Sequence, residues 1–527
     1  MPQDAARIDT DVFIAGTGPA GSTFARLLVP TGRRVLMADI GAQWGPRPGR
    51  NLKNTFPYQR NLDNFTSVIR GLLHPISVPS AGGVTTTLDP TVYRPAGAIR
   101  NAANPRQDPL KNLEGAAASY AVGGMLLHWT ASVPRQHPQL ERWNGISHEE
   151  WDSLYSTAEQ ILNKHTDVFD DSIRNTLVRE ALRDCYGDRL PADYGVQNLP
   201  IAAERSKINS DVVYYTGTDN VLAPILDGPD PSNRARLQIL PEHRVTRLHI
   251  RGDRIEYAEV EDLINWKTYS VYADTFVVAA GTVMSAQILW NSDIRPEALG
   301  KYMIEHPIAF TQIVLSRDIV RKMRDDPRFK AKANKIHPGD PVPLPMNDPP
   351  PNVWIPVSEH RPWHCQIHKD AFHYGALPAD IDDRLIVDLR WFGIVEPRPE
   401  NYVTFEPDIQ NQFGMPQPTY HFEFSPSDGR RMHDMMSDMV EAAQSLGGFY
   451  PGAEPRFMAS GMGLHTQGTC RIGAKDDGTS VVDPYSKVWG YSNLYVAGNS
   501  VIPTGNACNP TLTNVAFAVR AAQRLAA

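Results

Sequence analysis

Three glycines near the start of the chain, Gly16, Gly18 and Gly21, stand in a G-x-G-x-x-G spacing. That spacing suits a pyrophosphate: Gly16 permits a tight turn, Gly18 lets the backbone approach the phosphates, and Gly21 lets a helix pack closely on a sheet. Asp39 stands where a carboxylate can accept hydrogen bonds from ribose hydroxyls. Far along the chain lie a histidine and a carboxamide, His465 and Asn509. A neutral imidazole, with an unperturbed pKa of about 6.5, can take the proton of an alcohol. An amide can hydrogen-bond the same oxygen and fix its orientation. On its own, such a histidine reads as readily as a buried, hydrogen-bonded residue of the core.

The elements that must position these groups are visible around them. Residues 12–15 form a short continuous apolar run, the pattern of a strand buried on both faces. Phe24, Ala25, Leu27 and Leu28 follow at helical spacing, and residues 35–38 form a second apolar strand ending at Asp39. Strand, glycines, helix, strand and acid in this order predict a dinucleotide site. The spacing does not choose between FAD and NAD, but its place at the N-terminus favours FAD. Residues 275–281 read as another buried strand ending in small residues, Ala280 among them, followed by a helix over 285–291. Asn509-Pro510 reads as a helix start, with Asn as N-cap, Pro at the first helical position, and Leu512, Val515, Ala516 and Val519 as the apolar face.

Elsewhere, residues 40–115 look loop-dominated and 147–187 hold helices. Short strands are expected around Val245, Leu248 and Val260, and over 385–396, 402–406 and 419–424. Prolines at 341, 343, 345 and 349–351 suggest a long loop or lid across 316–362. Residues 428–446 read as an amphipathic helix whose Met432, Met435, Met436 and Met439 are core packing rather than ligands.

A chain of 527 residues exceeds what one core usually holds, so more than one domain is expected. Lys+Arg total 52 against Asp+Glu 59, and no basic run is present, which argues against a nucleic-acid partner. The four cysteines form no C-x-x-C pair, so neither a metal site nor a disulfide scaffold is expected, and free thiols fit a cytoplasmic location. Residues 1–11 lack the pattern of a signal peptide, and no segment approaches the ~20 apolar residues of a membrane span. The expected class is α/β, α+β overall. A Rossmann-type FAD-binding domain is assembled from residues 1–135, 205–310 and 455–527. A substrate-binding domain, an antiparallel sheet with helices, takes 136–204 and 311–454, including a loop or lid region over 316–375.

Taken together, several motifs resemble the glucose–methanol–choline (GMC) oxidoreductase superfamily, and within it the pyranose oxidases and bacterial glycoside 3-oxidases. They are the glycine motif, Lys53-Asn54-Thr55, Val122-Gly123-Gly124-Met125 with His128-Trp129-Thr130, and Asp370-Ala371-Phe372-His373-Tyr374. Leu389-Arg390-Trp391-Phe392-Gly393, Met415-Pro416-Gln417-Pro418-Thr419, Leu464-His465 and Asn509-Pro510-Thr511 complete the set, which covers nearly the whole chain. The resemblance implies FAD as cofactor and His465 and Asn509 as the catalytic pair facing it. It extends cofactor binding to Gly123, Gly124, His128, Thr130, Val245, Ala280, Asn499, Pro510 and Thr511. It gives substrate contacts to Gln366, Asp370, Phe372 and Tyr374, the last three on a mobile loop. His128 matches a histidine that is covalently bound to flavin in many relatives. Leu126-Leu127 replace the usual Ser-Thr before it, which leaves open a covalent link or simple packing beside the isoalloxazine. The implied reaction is oxidation of a pyranose sugar hydroxyl with O2 as acceptor. A glycoside 3-oxidase and a quinone-reducing dehydrogenase are the alternatives, and a monomer or homodimer is expected.

Overall fold

Three four-residue apolar runs, Val12–Ala15, Val35–Ala38 and Thr275–Val278, lie side by side in the computed structural model, which describes residues 6–55, 73–78, 80, 103–209, 212–333, 336–368, 381–449 and 452–527. With Leu237–Leu240 and Leu494–Val496 at the edges they form a five-stranded sheet in which every pair is parallel. Parallel sheets are covered on both faces, which explains strands without polar alternation. The helix Pro19–Leu28 links the first two strands, and the helix Thr511–Ala526 packs against it. A four-stranded sheet, ordered Ala6–Asp9, Lys267–Tyr272, Arg254–Asp262 and His243–Arg251, stands beside this unit.

A second core is built on a seven-stranded antiparallel sheet whose central strands are Ile308–Leu315, Ile386–Gly393, Trp363–His368 and Asn352–Ile355. Alternation along these strands sorts the side chains by face. Val387, Leu389 and Trp391, with Trp363, Cys365 and Ile367, enter the core beneath the helices Ile173–Tyr186 and Pro426–Leu446. Gln366, Arg390 and Phe392 point the other way, into a cavity. The helix Pro426–Leu446 starts in a capping box between Ser425 and Asp428, and buries Met435 and Met439 in that core, as its periodicity predicts.

The long loop expected over 316–362 is corrected by a helix, Arg317–Asp325, a short helix, Lys330–Ala333, and the strand Asn352–Ile355. Ser316 caps the first by accepting from Ile319 N at 3.3 Å, and Ile319 and Met323 are buried on its one apolar stripe. Apart from Val320 its other residues are charged, which hid the period from a reading weighted towards the later prolines. The part of the lid region over 369–375, with Asp370, Phe372 and Tyr374, lies outside the described residues.

Met439 is fully buried, so Met439→Ala is expected to cost about 2–5 kcal/mol through lost packing and a residual cavity. A urea titration with far-UV circular dichroism will read this as a lowered midpoint.

Candidate active site

The glycine motif turns as its spacing predicts. Gly16 has φ 103°, and a Cβ there would fall 2.4 Å from the Ala279 carbonyl oxygen. A Cβ on Gly21 would meet the Gly16 oxygen at 2.1 Å, so this glycine serves helix–sheet contact and does not reach the cavity. Gly18 faces open space and is the N-cap of the helix Pro19–Leu28, which has no side-chain cap. Its first N–H groups and partial positive charge are therefore available to an anion. Asp39 lies on the cavity wall, with Oδ2 accepting from Thr17 N at 3.0 Å and Oγ1 at 2.5 Å, and Oδ1 from Gly41 N at 2.9 Å. Burial pushes its carboxyl up, and these hydrogen bonds oppose that shift.

Thr130, Val245, Ala280, Asn499, Pro510, Thr511, Gly124 and His128 line the same cavity. Gly123 does not. It has φ 102°, sits against Gly49 backbone to backbone, and donates its N–H to Thr17 Oγ1 at 2.7 Å, so it shapes the wall from behind. His128 follows a short 3-10 turn, Gly124–Leu127, and pairs through Nε2 with Ser119 Oγ. Burial, then the nearby Lys53 charge, push its pKa down to about 3. Lys53 itself is buried, donates to the Trp129 carbonyl, and lies 3.7 Å from the centre of the Tyr215 ring.

His465 and Asn509 meet at the other end of this cavity, with Asn509 Nδ2 3.2 Å from His465 Nε2. Asn509 Oδ1 accepts from Gln366 Nε2. This corrects the reading of Asn509 as a helix cap: its carboxamide is committed to Gln366 and His465. Pro510 is the N-cap of Thr511–Ala526, and no side chain caps that helix. A second uncapped helix N-terminus thus opens on the cavity.

The shell behind His465 was not foreseen from sequence. His306 Nδ1 lies 3.1 Å from His465 Nδ1. Glu305 accepts from the His465 backbone N at 3.1 Å and from Thr466 Oγ1 at 2.5 Å. Burial raises Glu305 to about 7, while burial, then His306 and His364, hold His465 well below the usual histidine value. The adjacent Glu305-His306 pair just before a strand was the one available hint. Arg390 and Phe392, alternate residues of one strand, were also unforeseen as cavity residues.

The sequence profile of GMC oxidoreductases matches residues 397–518. The chain is 40% identical to a pyranose 2-oxidase of Lyophyllum shimeji, over 98% of its own length and 91% of that protein. The chain belongs to the GMC oxidoreductases. This GMC oxidoreductase is also 32% identical to a C-glycoside 3-oxidase of Microbacterium trichothecenolyticum, over 98% of the chain and 96% of the relative. The crystal structure of a pyridoxine 4-oxidase from Mesorbium loti shares its fold, with a TM-score of 0.65 at 17% identity, covering 98% of this chain and 99% of that one.

Its cofactor is FAD, and it is an FAD-dependent oxidoreductase. The residues present fit that group. A Cβ-free approach at Gly18 beside an uncapped helix suits the pyrophosphate, and Asp39 suits a ribose. Asn514 Oδ1 and Ser132 Oγ, both on cavity-lining residues, are buried with no partner among the described residues, and polar atoms on a bound group can satisfy them.

Gly16→Ala forces a Cβ against a carbonyl in a left-handed conformation. Purified variant protein should lose its flavin absorbance relative to protein absorbance. Glu305 makes a separate prediction. Its folded pKa is raised from 4.5 to about 7, so the folded state holds a proton that the unfolded state releases. Stability is therefore fully present below pH 4.5 and falls as pH rises through about 7. Glu305→Gln should flatten that fall in denaturation midpoints measured from pH 5 to 8.

Proposed function

We propose that this protein oxidises a secondary hydroxyl of a pyranose sugar or glycoside to a ketone. The observation that carries the reading is the His465–Asn509 pair, 3.2 Å apart, on the wall of the same cavity as the glycine motif. The sugar class is supported by the pyranose 2-oxidases and C-glycoside 3-oxidases that match nearly the whole chain.

FAD, when bound, supplies the two-electron acceptor for the hydride from the hydroxyl-bearing carbon, with O2 as the final acceptor giving H2O2. Gly16, Gly18, Asp39, Gly124, His128, Thr130 and the N-terminus of Thr511–Ala526 would hold it. His465 takes the hydroxyl proton at Nε2: the O–H bond breaks, the N–H bond forms, and the electron pair stays on oxygen. Burial keeps the imidazole neutral and ready to accept. Asn509 Nδ2 donates towards the same oxygen, and Gln366 holds that amide in orientation. The uncapped helix after Pro510 directs partial positive charge into the cavity, where it would favour negative charge on a bound group. The strand residues Gln366, Arg390 and Phe392 form the substrate side.

Oxidation at C2 of a free pyranose is the first reading. The near-full-length likeness to a C-glycoside 3-oxidase favours oxidation at C3 of a glycoside as the second. Four free cysteines agree with a reducing compartment.

His465→Ala should slow anaerobic flavin reduction by about 10²–10⁴-fold with flavin still bound, and Asn509→Ala by about 10²–10³-fold. Stopped-flow bleaching with a panel of sugars and glycosides checks both. NMR of the product separates C2 from C3, and turnover with O2 against a quinone identifies the acceptor. Undiminished reduction in His465→Ala ends the reading.

A further inference from the structure

A neutral imidazole carries one proton on two nitrogens, so the nitrogen that acts as base depends on what the other one touches. Around His465 each contact dictates the next. The Thr504 carbonyl can only accept, so Asn506 turns its Nδ2 towards it, at 2.9 Å. The same Nδ2 donates to Gln467 Oε1 at 2.8 Å. Asn506 Oδ1 therefore faces His306 Nε2 at 3.0 Å, and that nitrogen must donate. Gln467 Nε2 lies 3.2 Å from both Asn506 Oδ1 and His306 Nε2; a bare Nε2 would set its lone pair against the accept-only Asn506 Oδ1, so the Gln467 N–H goes to that oxygen and His306 Nε2 keeps its proton.

His306 is buried and stays neutral, its pKa lowered to about 4 by burial, so its Nδ1 keeps a lone pair. That lone pair meets His465 Nδ1 at 3.1 Å, which must then carry the His465 proton. The far side agrees independently. Asn509 accepts from Gln366 on Oδ1, so its Nδ2 offers an N–H to His465 Nε2, and that nitrogen must be bare.

We propose that His306 is a positioning residue that fixes the tautomer of His465, with Nδ1 protonated and Nε2, beside Asn509, as the proton acceptor. The inference rests on His465 being the base of the reaction. After Nε2 takes a proton, the Nδ1–H keeps the His306 lone pair as partner. The transient cation gains an oriented but uncharged acceptor, and a permanent counter-charge that would favour standing protonation is avoided.

The first test uses unaltered holoenzyme labelled with ¹⁵N-histidine, with His465 signals assigned through their loss in His465→Ala. The expected pattern is a protonated-type shift at Nδ1 and an unprotonated-type shift at Nε2. The reverse overturns the proposal, and this readout does not depend on activity or on the folding of a His306 variant. The second test is kinetic. His306→Leu removes the acceptor and should slow anaerobic flavin reduction by about 10²-fold or more, with KM little changed. His306→Asn places Oδ1 where Nδ1 stood and should recover most of the rate. Full activity in His306→Leu, or a His306→Asn as slow as His306→Leu with flavin bound in both, overturns it. If His465→Ala is inactive while His306→Leu is not, only this inference fails. If His465→Ala is active, the underlying reading fails.

Discussion

The His465 imidazole, half-buried on the cavity wall, is the constraint around which the site is arranged. A charged imidazolium loses hydration in this position, and His306 and His364 add repulsion, so the ring rests neutral. A carboxylate on the ring would undo this by favouring the cation. Glu305, the acid nearest in sequence to this shell, meets the His465 backbone N–H and the Thr466 hydroxyl instead. Neutral partners, an amide on one side and a second imidazole on the other, orient the ring without charging it. The same economy holds at His128, which burial also keeps uncharged beside the cationic Lys53.

The two sheets divide the work by their pleat. In the parallel sheet the strands Val12–Ala15 and Val35–Ala38 are buried on both faces, and the sheet's contribution to the cavity comes from strand ends and the turns beyond them, at Gly16, Asp39 and Ala280. In the antiparallel sheet the contribution comes from alternate side chains, Gln366, Arg390 and Phe392, while their neighbours fill a hydrophobic core. Strand ends bring backbone and the Asp39 carboxylate to the cavity, a setting suited to phosphates and a ribose, and the pleated strands bring polar and aromatic side chains, a setting suited to hydroxyls.

What could be read from sequence was what is settled locally. The glycine motif, its flanking strands and Asp39 lie within one supersecondary unit, and the pattern survives in the fold. Asn509 shows where local reading ends. Asn-Pro before an apolar helix is a good cap signal, but Gln366 and His465, 143 and 44 residues away, claim the carboxamide. Gly123 was expected at the cofactor through the resemblance alone, and its contact with Gly49 behind the cavity wall was invisible in sequence. His306 acts only through partners 159 and 200 residues distant, so no window of sequence exposes it. The charged helix Arg317–Asp325 was lost for a different reason: two buried residues make a weak period.

The parallel sheet assembles from pieces of chain that are far apart in synthesis. Val12–Ala15 waits for Thr275–Val278, and that strand for Leu494–Val496, before the sheet is complete. The helix that covers Pro19–Leu28 begins later still, at Thr511. A nascent chain emerging from the ribosome thus carries an unfinished apolar sheet and an open phosphate cradle for most of its translation. Such long-range closure is slow and leaves sticky edges exposed. The phosphate cradle is accordingly framed only once the last helix has been made and docked.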